Sequence, residues 1–170
     1  MFILSGIPVS PGIAIGYAYI LAHALGEIEP YSIPKNKVTH EIKRFNNSVR
    51  NLHLELVHLK NELKKNKMIE YGSFIDIQLS ILKDPKISED PKKIIKDTLT
   101  NAEWALKIQM DEIINKFNKI NNTYIKERKN DVYQVCENLI KYLIGHQSHK
   151  VSNDRNQIIV AHDISPSDAL

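Results

Sequence analysis

Histidine, cysteine and glycine are the residue types in this chain that could bind a metal, attack a substrate or cradle a phosphate. Their spacing decides what each can do. His146 and His149 stand three apart, as two ligands of one metal can, but they lie beyond Gly145 in a polar linker without nearby acids. His53 and His58 sit beside leucines on a helical pattern and read as solvated or edge-packing side chains. Gly12 and Gly16 do not make the G-x-G-x-x-G loop that holds a dinucleotide phosphate. No G-x-S-x-G is present, and the single cysteine, Cys136, falls between core positions of a helix. It reads as a small core residue and excludes an internal disulfide or a multi-thiolate metal site. From residue types alone the chain is a binding module with no catalytic constellation.

What would position a binding surface is a long amphipathic stretch, residues 38–63. Its apolar residues Val38, Ile42, Phe45, Val49, Leu52, Leu56, Leu59 and Leu63 alternate four and three apart without a slip. That spacing makes one narrow seam along a helix of roughly 39 Å at 1.5 Å per residue. Lys43, Arg44, Asn46, Asn47, Arg50, Asn51, Lys60 and Glu62 flank it and read as wet faces. A seam so long must be covered by another helix. Three further amphipathic helices in the same chain favour an intramolecular bundle over a self-associating coiled coil.

The second helix is expected from about Met68 to Leu82, with Ile75, Leu79 and Leu82 toward the seam and Phe74, Ile77 and Ile81 on a second apolar face. A helix apolar on two sides is either central in a bundle or half of a docking surface. Asp84-Pro85 ends it. Ser88-Glu89-Asp90-Pro91 reads as a helix start with a capping Ser, and Thr100-Asn101-Ala102-Glu103 has the form of a capping box. The helix after it carries Trp104, Ala105, Ile108, Ile113, Phe117 and Ile120. A last long helix holds Ile125, Val132, Val135, Cys136, Leu139, Ile140 and Leu143, with Gly145 as its stop.

The two ends read differently. Residues 2–9 and 14–21 are β-prone runs around the turn Ser10-Pro11-Gly12, and residues 22–34 form a linker. Gln157-Ile158-Ile159-Val160-Ala161 is a short apolar run of the kind found in a buried parallel strand, followed by Ser165-Pro166-Ser167-Asp168, a loop passing into a helix start. The simplest topology is a helical insertion, about 34–146, between two pieces of one α/β domain. Composition agrees with a soluble globular protein: 42% hydrophobic and 25% charged residues among 170. The net charge of +3 comes from dispersed lysines, so nucleic acid is not implied. No run of eighteen apolar residues and no signal peptide is present, which points to the cytoplasm.

Four stretches, in order, resemble Enzyme I, the phosphoenolpyruvate–protein phosphotransferase of the bacterial sugar phosphotransferase system. They are Ser5-Gly6-Ile7-Pro8-Val9-Ser10-Pro11-Gly12-Ile13-Ala14-Ile15-Gly16, Asn101-Ala102-Glu103-Trp104-Ala105-Leu106, Tyr124-Ile125-Lys126-Glu127-Arg128-Lys129-Asn130-Asp131-Val132, and residues 158–168 from Ile158 to Asp168. Nitrogen-branch paralogues share much of this pattern. The resemblance implies an α+β, mostly α fold: a helical-hairpin bundle inserted into an incomplete swivelling phosphohistidine α/β domain. Its boundaries would be 1–33 and 147–170 for the α/β pieces and 34–146 for the bundle. It also implies that the bundle binds the phosphocarrier HPr for phosphoryl transfer in sugar uptake, through Glu70, Phe74, Ile77, Gln78, Ile81 and Asp84, with Arg128 near the transfer cleft.

The resemblance has departures. Lys64-Lys65-Asn66-Lys67 and Lys83 stand where family members present acidic or neutral residues to a basic HPr, so electrostatic steering is expected to be weaker. Ala169 stands where the family often has Thr. The family's phosphorylated histidine, in a Gly-Gly-…-Ser-His segment, is expected beyond residue 170. So is the barrel that binds phosphoenolpyruvate and magnesium and forms the dimer. On this expectation the chain holds no catalytic residue and no metal site of its own. The rival expectation is a stand-alone helical interaction or scaffold protein derived from the family.

Overall fold

The computed structural model describes residues 6–21, 28–67, 72–122, 128–145 and 156–161. Strand β1 (Tyr17–Leu21) leads to a 3-10 turn (Lys35–Lys37) and then to helices α1 (Val38–Lys65), α2 (Gly72–Lys83), α3 (Pro85–Ser88), α4 (Asp90–Thr98), α5 (Ala102–Asn118) and α6 (Lys129–Ile144). Strand β2 (Gln157–Ala161) closes the order. The two strands pair in parallel, Tyr17 opposite Gln157 and Leu21 opposite Ala161.

The seam of α1 is the spine of the core. Phe45, Leu52, Leu56 and Leu63 are buried, and Val38, Ile42, Val49 and Leu59 pack against them from the side. Ile75, Leu79 and Leu82 of α2 meet this seam as their spacing predicts, and Val132, Val135, Cys136, Leu139, Ile140 and Leu143 bring α6 into the same cluster. α6 packs on α1, α2 and α5. Gly145 ends it in the left-handed region at φ 80°, where glycine carries no Cβ penalty.

Several local expectations are corrected. Ser88 does not cap α4. It ends the separate short helix α3, which Asp84 caps by accepting from the Lys86 amide at 2.9 Å, and Ser88 Oγ donates to the Asp84 carbonyl. The residue before α4 is Glu89, without a side-chain cap. The capping box at residues 100–103 does not form, because Asn101 occupies the cap and makes no capping bond. The start of α5 is capped from α1 instead: the Ala102 amide donates to Glu41 Oε1 at 2.8 Å. Of the apolar residues this helix carries, Ala105 and Ile113 are buried, whereas Ile108 and Ile120 are exposed. Residues 6–9 of the first β-prone run are not strand. β2 is parallel as expected but not buried, since in a two-stranded sheet Ile158, Ile159 and Val160 find nothing among the described residues to cover them. The expectations for residues 2–5, 22–27, 68–71, 123–127, 146–155 and 162–170 lie outside the described residues.

Candidate functional site

Helix α2 has the two-sided character its sequence implied. Ile75, Leu79 and Leu82 are buried, while Phe74 keeps 50% of its surface in water and Ile77 is partly exposed. Asp76, on the flank toward α1, forms an ion pair with Lys60. That pair ties α2 to α1 and consumes an acidic charge that a basic partner could otherwise use. Ser80 bonds back to the Asp76 carbonyl at 2.8 Å, and Asp84 is exposed at the far end while capping α3. The face is thus apolar at its centre with its carboxylates already engaged.

The other expected site residues are placed less favourably. Ile81 packs partly against the core instead of standing free. Gln78 is a correction: only 4% of it is exposed, and its Oε1 has no hydrogen-bond partner. One turn from Phe74, it falls on the inward side of the helix, so it is not a surface contact. Arg128 precedes α6 and pairs with Asp131 at 3.1 Å, on a different helix from the rest. Glu70 lies outside the described residues.

A second centre escaped the sequence reading. Arg44, on a flank that the sequence pattern reads as wet, carries a dense set of hydrogen bonds among the described residues. Its Nη1 donates to Glu103 Oε1 at 2.6 Å and to the Leu143 carbonyl at 2.8 Å. Its Nη2 donates to Glu41 Oε1 at 2.5 Å and Glu103 Oε2 at 2.8 Å, and Nε donates to Glu41 Oε2 at 3.2 Å. Burial works against the guanidinium charge, but the bonds to Glu103 and Glu41 outweigh it and hold its pKa above the ordinary arginine value. Burial also opposes ionisation of Glu103, yet Arg44 and Asn101 hold its carboxyl below the usual range. Every donor of Arg44 is used, so this centre fastens structure and is not an anion site. The available signal was Glu41, a carboxylate in register with Phe45, Ser48 and Leu52 on the buried side of α1.

The chemistry of the remaining candidates is inert. Burial, reinforced by Asp111, pushes the Cys136 thiol up to about 12, so it stays protonated and apolar. Among the described residues no group of three or more His, Cys, Asp and Glu side chains gathers for a metal. No described helix is long and apolar enough to cross a membrane.

Residues 5–128 match the family of PEP-utilising enzymes, N-terminal. The chain belongs to that family. Among PEP-utilising enzymes, it is similar to the phosphoenolpyruvate-protein phosphotransferase of Cupriavidus necator, 34% identical over 179 residues that cover 99% of this chain and 30% of that protein. The namesake of Listeria monocytogenes is 32% identical over 170 residues, covering 97% of this chain and 29% of that protein. The chain thus spans about 30% of the length of these curated relatives. A solution structure of Enzyme I superposes with a TM-score of 0.77 at 26% identity, covering 98% of this chain and 68% of that one. The N-terminal domain of the nitrogen Enzyme 1 superposes at 0.72 with 19% identity, over 96% of this chain and 66% of that one, a likeness of fold. The mostly helical α+β architecture and the resemblance to the amino-terminal portion of Enzyme I both hold.

Proposed function

We propose that this chain is the partner-recognition part of a phosphoenolpyruvate–protein phosphotransferase, and that it receives the phosphocarrier HPr on the outer face of α2. The observation that carries this reading is Phe74. A large aromatic side chain stands half in water on a helix whose opposite side is fully committed to the core, and aromatic anchors of this kind dominate interface energy. Ile77 extends the apolar contact. Arg128, held by Asp131, lies at the start of α6. In this reading residues 34–146 are the docking domain and the flanking pieces belong to the swivelling α/β domain. The protein works in the cytoplasm in the service of sugar uptake. The phosphorylated histidine, the phosphoenolpyruvate barrel, its magnesium and the dimer contact belong to the longer protein that the relatives represent.

With Asp76 paired to Lys60 and Asp84 engaged as a cap, apolar contact outweighs charge steering at this face. A chemical-shift titration of the chain with HPr tests the reading. Shifts should centre on residues 72–84. Phe74→Ala should weaken binding by about 1–2 kcal/mol or more while leaving the melting curve nearly unchanged. Shifts confined to α6, or unaltered affinity in Phe74→Ala, would move the docking site elsewhere. No binding at all would favour a stand-alone scaffold protein.

A further inference from the structure

The Arg44 centre does more than pair charges, because it lies where the chain passes into and out of the bundle. The incoming segment, residues 28–33, is stitched to the α4–α5 corner, with Ser32 bridged to Thr100. The Tyr31 amide donates to Asn101 Oδ1 at 3.1 Å, the Asn101 amide to the Tyr31 carbonyl at 3.2 Å, and the Ile33 amide to the Leu99 carbonyl at 2.7 Å. Asn101 Nδ2 also reaches the Glu29 carbonyl at 3.3 Å and Glu103 Oε2 at 3.0 Å. Glu103 in turn holds Arg44, and Arg44 Nη1 holds the Leu143 carbonyl in the last turn of α6, where the chain leaves. One unbroken run of bonds therefore links the incoming segment to the outgoing helix end through Asn101, Glu103 and Arg44.

The same centre satisfies the backbone groups that helix ends leave open. Glu41 accepts from the first amide of α5, and Arg44 donates to a terminal carbonyl of α6. Glu41, Asn101 and Glu103 are all buried. A buried polar network is stable when every member is satisfied and becomes costly when one partner is removed. We propose that Arg44, Glu103 and Asn101 form a latch that makes the incoming segment 28–33 and the last turn of α6 open and close as one cooperative unit. Both connections toward the β1–β2 pair are then held or released together, although they are separate in sequence.

Native-state hydrogen exchange on the full chain tests the latch. Asn101→Ala touches the incoming segment and Glu103 but has no bond to α6. It should speed exchange about tenfold both at Tyr31 and Ile33 and at Tyr142, Leu143 and Ile144, while Leu52 and Leu139 amides keep their parent rates. Arg44→Lys, a milder change than deletion of the side chain, should release the same two groups from the other side. A double-mutant cycle over the two substitutions should be strongly non-additive at both segments. Faster exchange confined to the incoming segment in Asn101→Ala, or additive effects in the double variant, overturns the proposal. So does a uniform loss of protection that includes Leu52 and Leu139.

Discussion

The helical bundle and the β1–β2 pair are both rich in branched aliphatic and aromatic residues, yet they treat them in opposite ways. In the bundle, Phe45, Leu52, Leu56, Ile75, Leu106, Leu139 and Ile140 are almost wholly withdrawn from water. In the strands, Tyr17 and Ile20 stay exposed on β1, as do Ile158, Ile159 and Val160 on β2. A helix completes its backbone hydrogen bonds internally and needs one covered face. A parallel strand needs neighbours on both edges and layers on both faces. Apolar content alone therefore says little about stability. What matters is whether the same chain supplies the covering surface.

The sharpest break of that contrast is a truncation in the core set against one outside it. Leu56→Ala should cost about 2–5 kcal/mol by leaving a cavity in the seam, whereas Leu54→Ala, at an exposed position two residues away on the same helix, should stay within about 0.5 kcal/mol. Urea denaturation of both variants checks it, and equal effects would mean that the seam is not the core. Next comes the edge of the bundle. A chain of residues 28–146 should keep the helical circular dichroism and the main melting transition. Shortening it to 34–146 removes buried Ile33 and the bonds of Tyr31 to Asn101, and should cost on the order of 2–4 kcal/mol. Equal melting of the two would show that the incoming segment is a passive linker.

A pH series sharpens the comparison further, because the bundle holds a buried carboxylate with a lowered pKa. A carboxylate whose pKa is lower folded than unfolded contributes stability above its unfolded value, near 4.5 for Glu103, and loses it as the pH falls through the folded value. Glu103→Gln should therefore melt below the parent chain at neutral pH, by about 1–3 kcal/mol. The gap should narrow as the pH is lowered past 4.5. A gap that stays constant down to acid unfolding would show that the Glu103 charge contributes nothing. The smallest effect belongs to the strands. Val160→Thr, at an exposed site, should change stability by no more than about 0.5 kcal/mol.

The bundle was largely legible in the sequence because its signal is repetition. Eight apolar residues in a four-three alternation on α1, and the four-three spacing of Ile75, Leu79 and Leu82, leave one sensible partner for each face. Gly145 as a stop was equally plain. What escaped was cooperation between distant polar residues. Thr100 to Glu103 looked like a self-contained capping box, but the carboxylate that caps α5 comes from Glu41, on another helix. Arg44 looked solvated because its neighbours in sequence are polar, and only the fold brings Glu103 and Leu143 to it. The α2 face was half legible. Its two-sidedness was visible, but spacing alone did not tell outward Phe74 from inward Gln78, one helical turn apart.

Strand pairing joins residue 17 to residue 157, partners far apart in the sequence, whereas most bundle contacts among the described residues lie between consecutive helices. Local contacts form first and long-range parallel pairing is slow. The bundle should thus be in place before the strands meet. Because the chain passes into and out of the bundle at the Arg44 centre, the folded helices already hold residues 28 and 145 on one side of the molecule. What remains to be closed is the short stretches 22–27 and 146–155 in place of the whole intervening chain. On the logarithmic dependence of closure entropy on loop length, that shortening lowers the cost of bringing the strands together by on the order of 2 kcal/mol. The place where the helices end is then also the place from which the sheet begins to assemble.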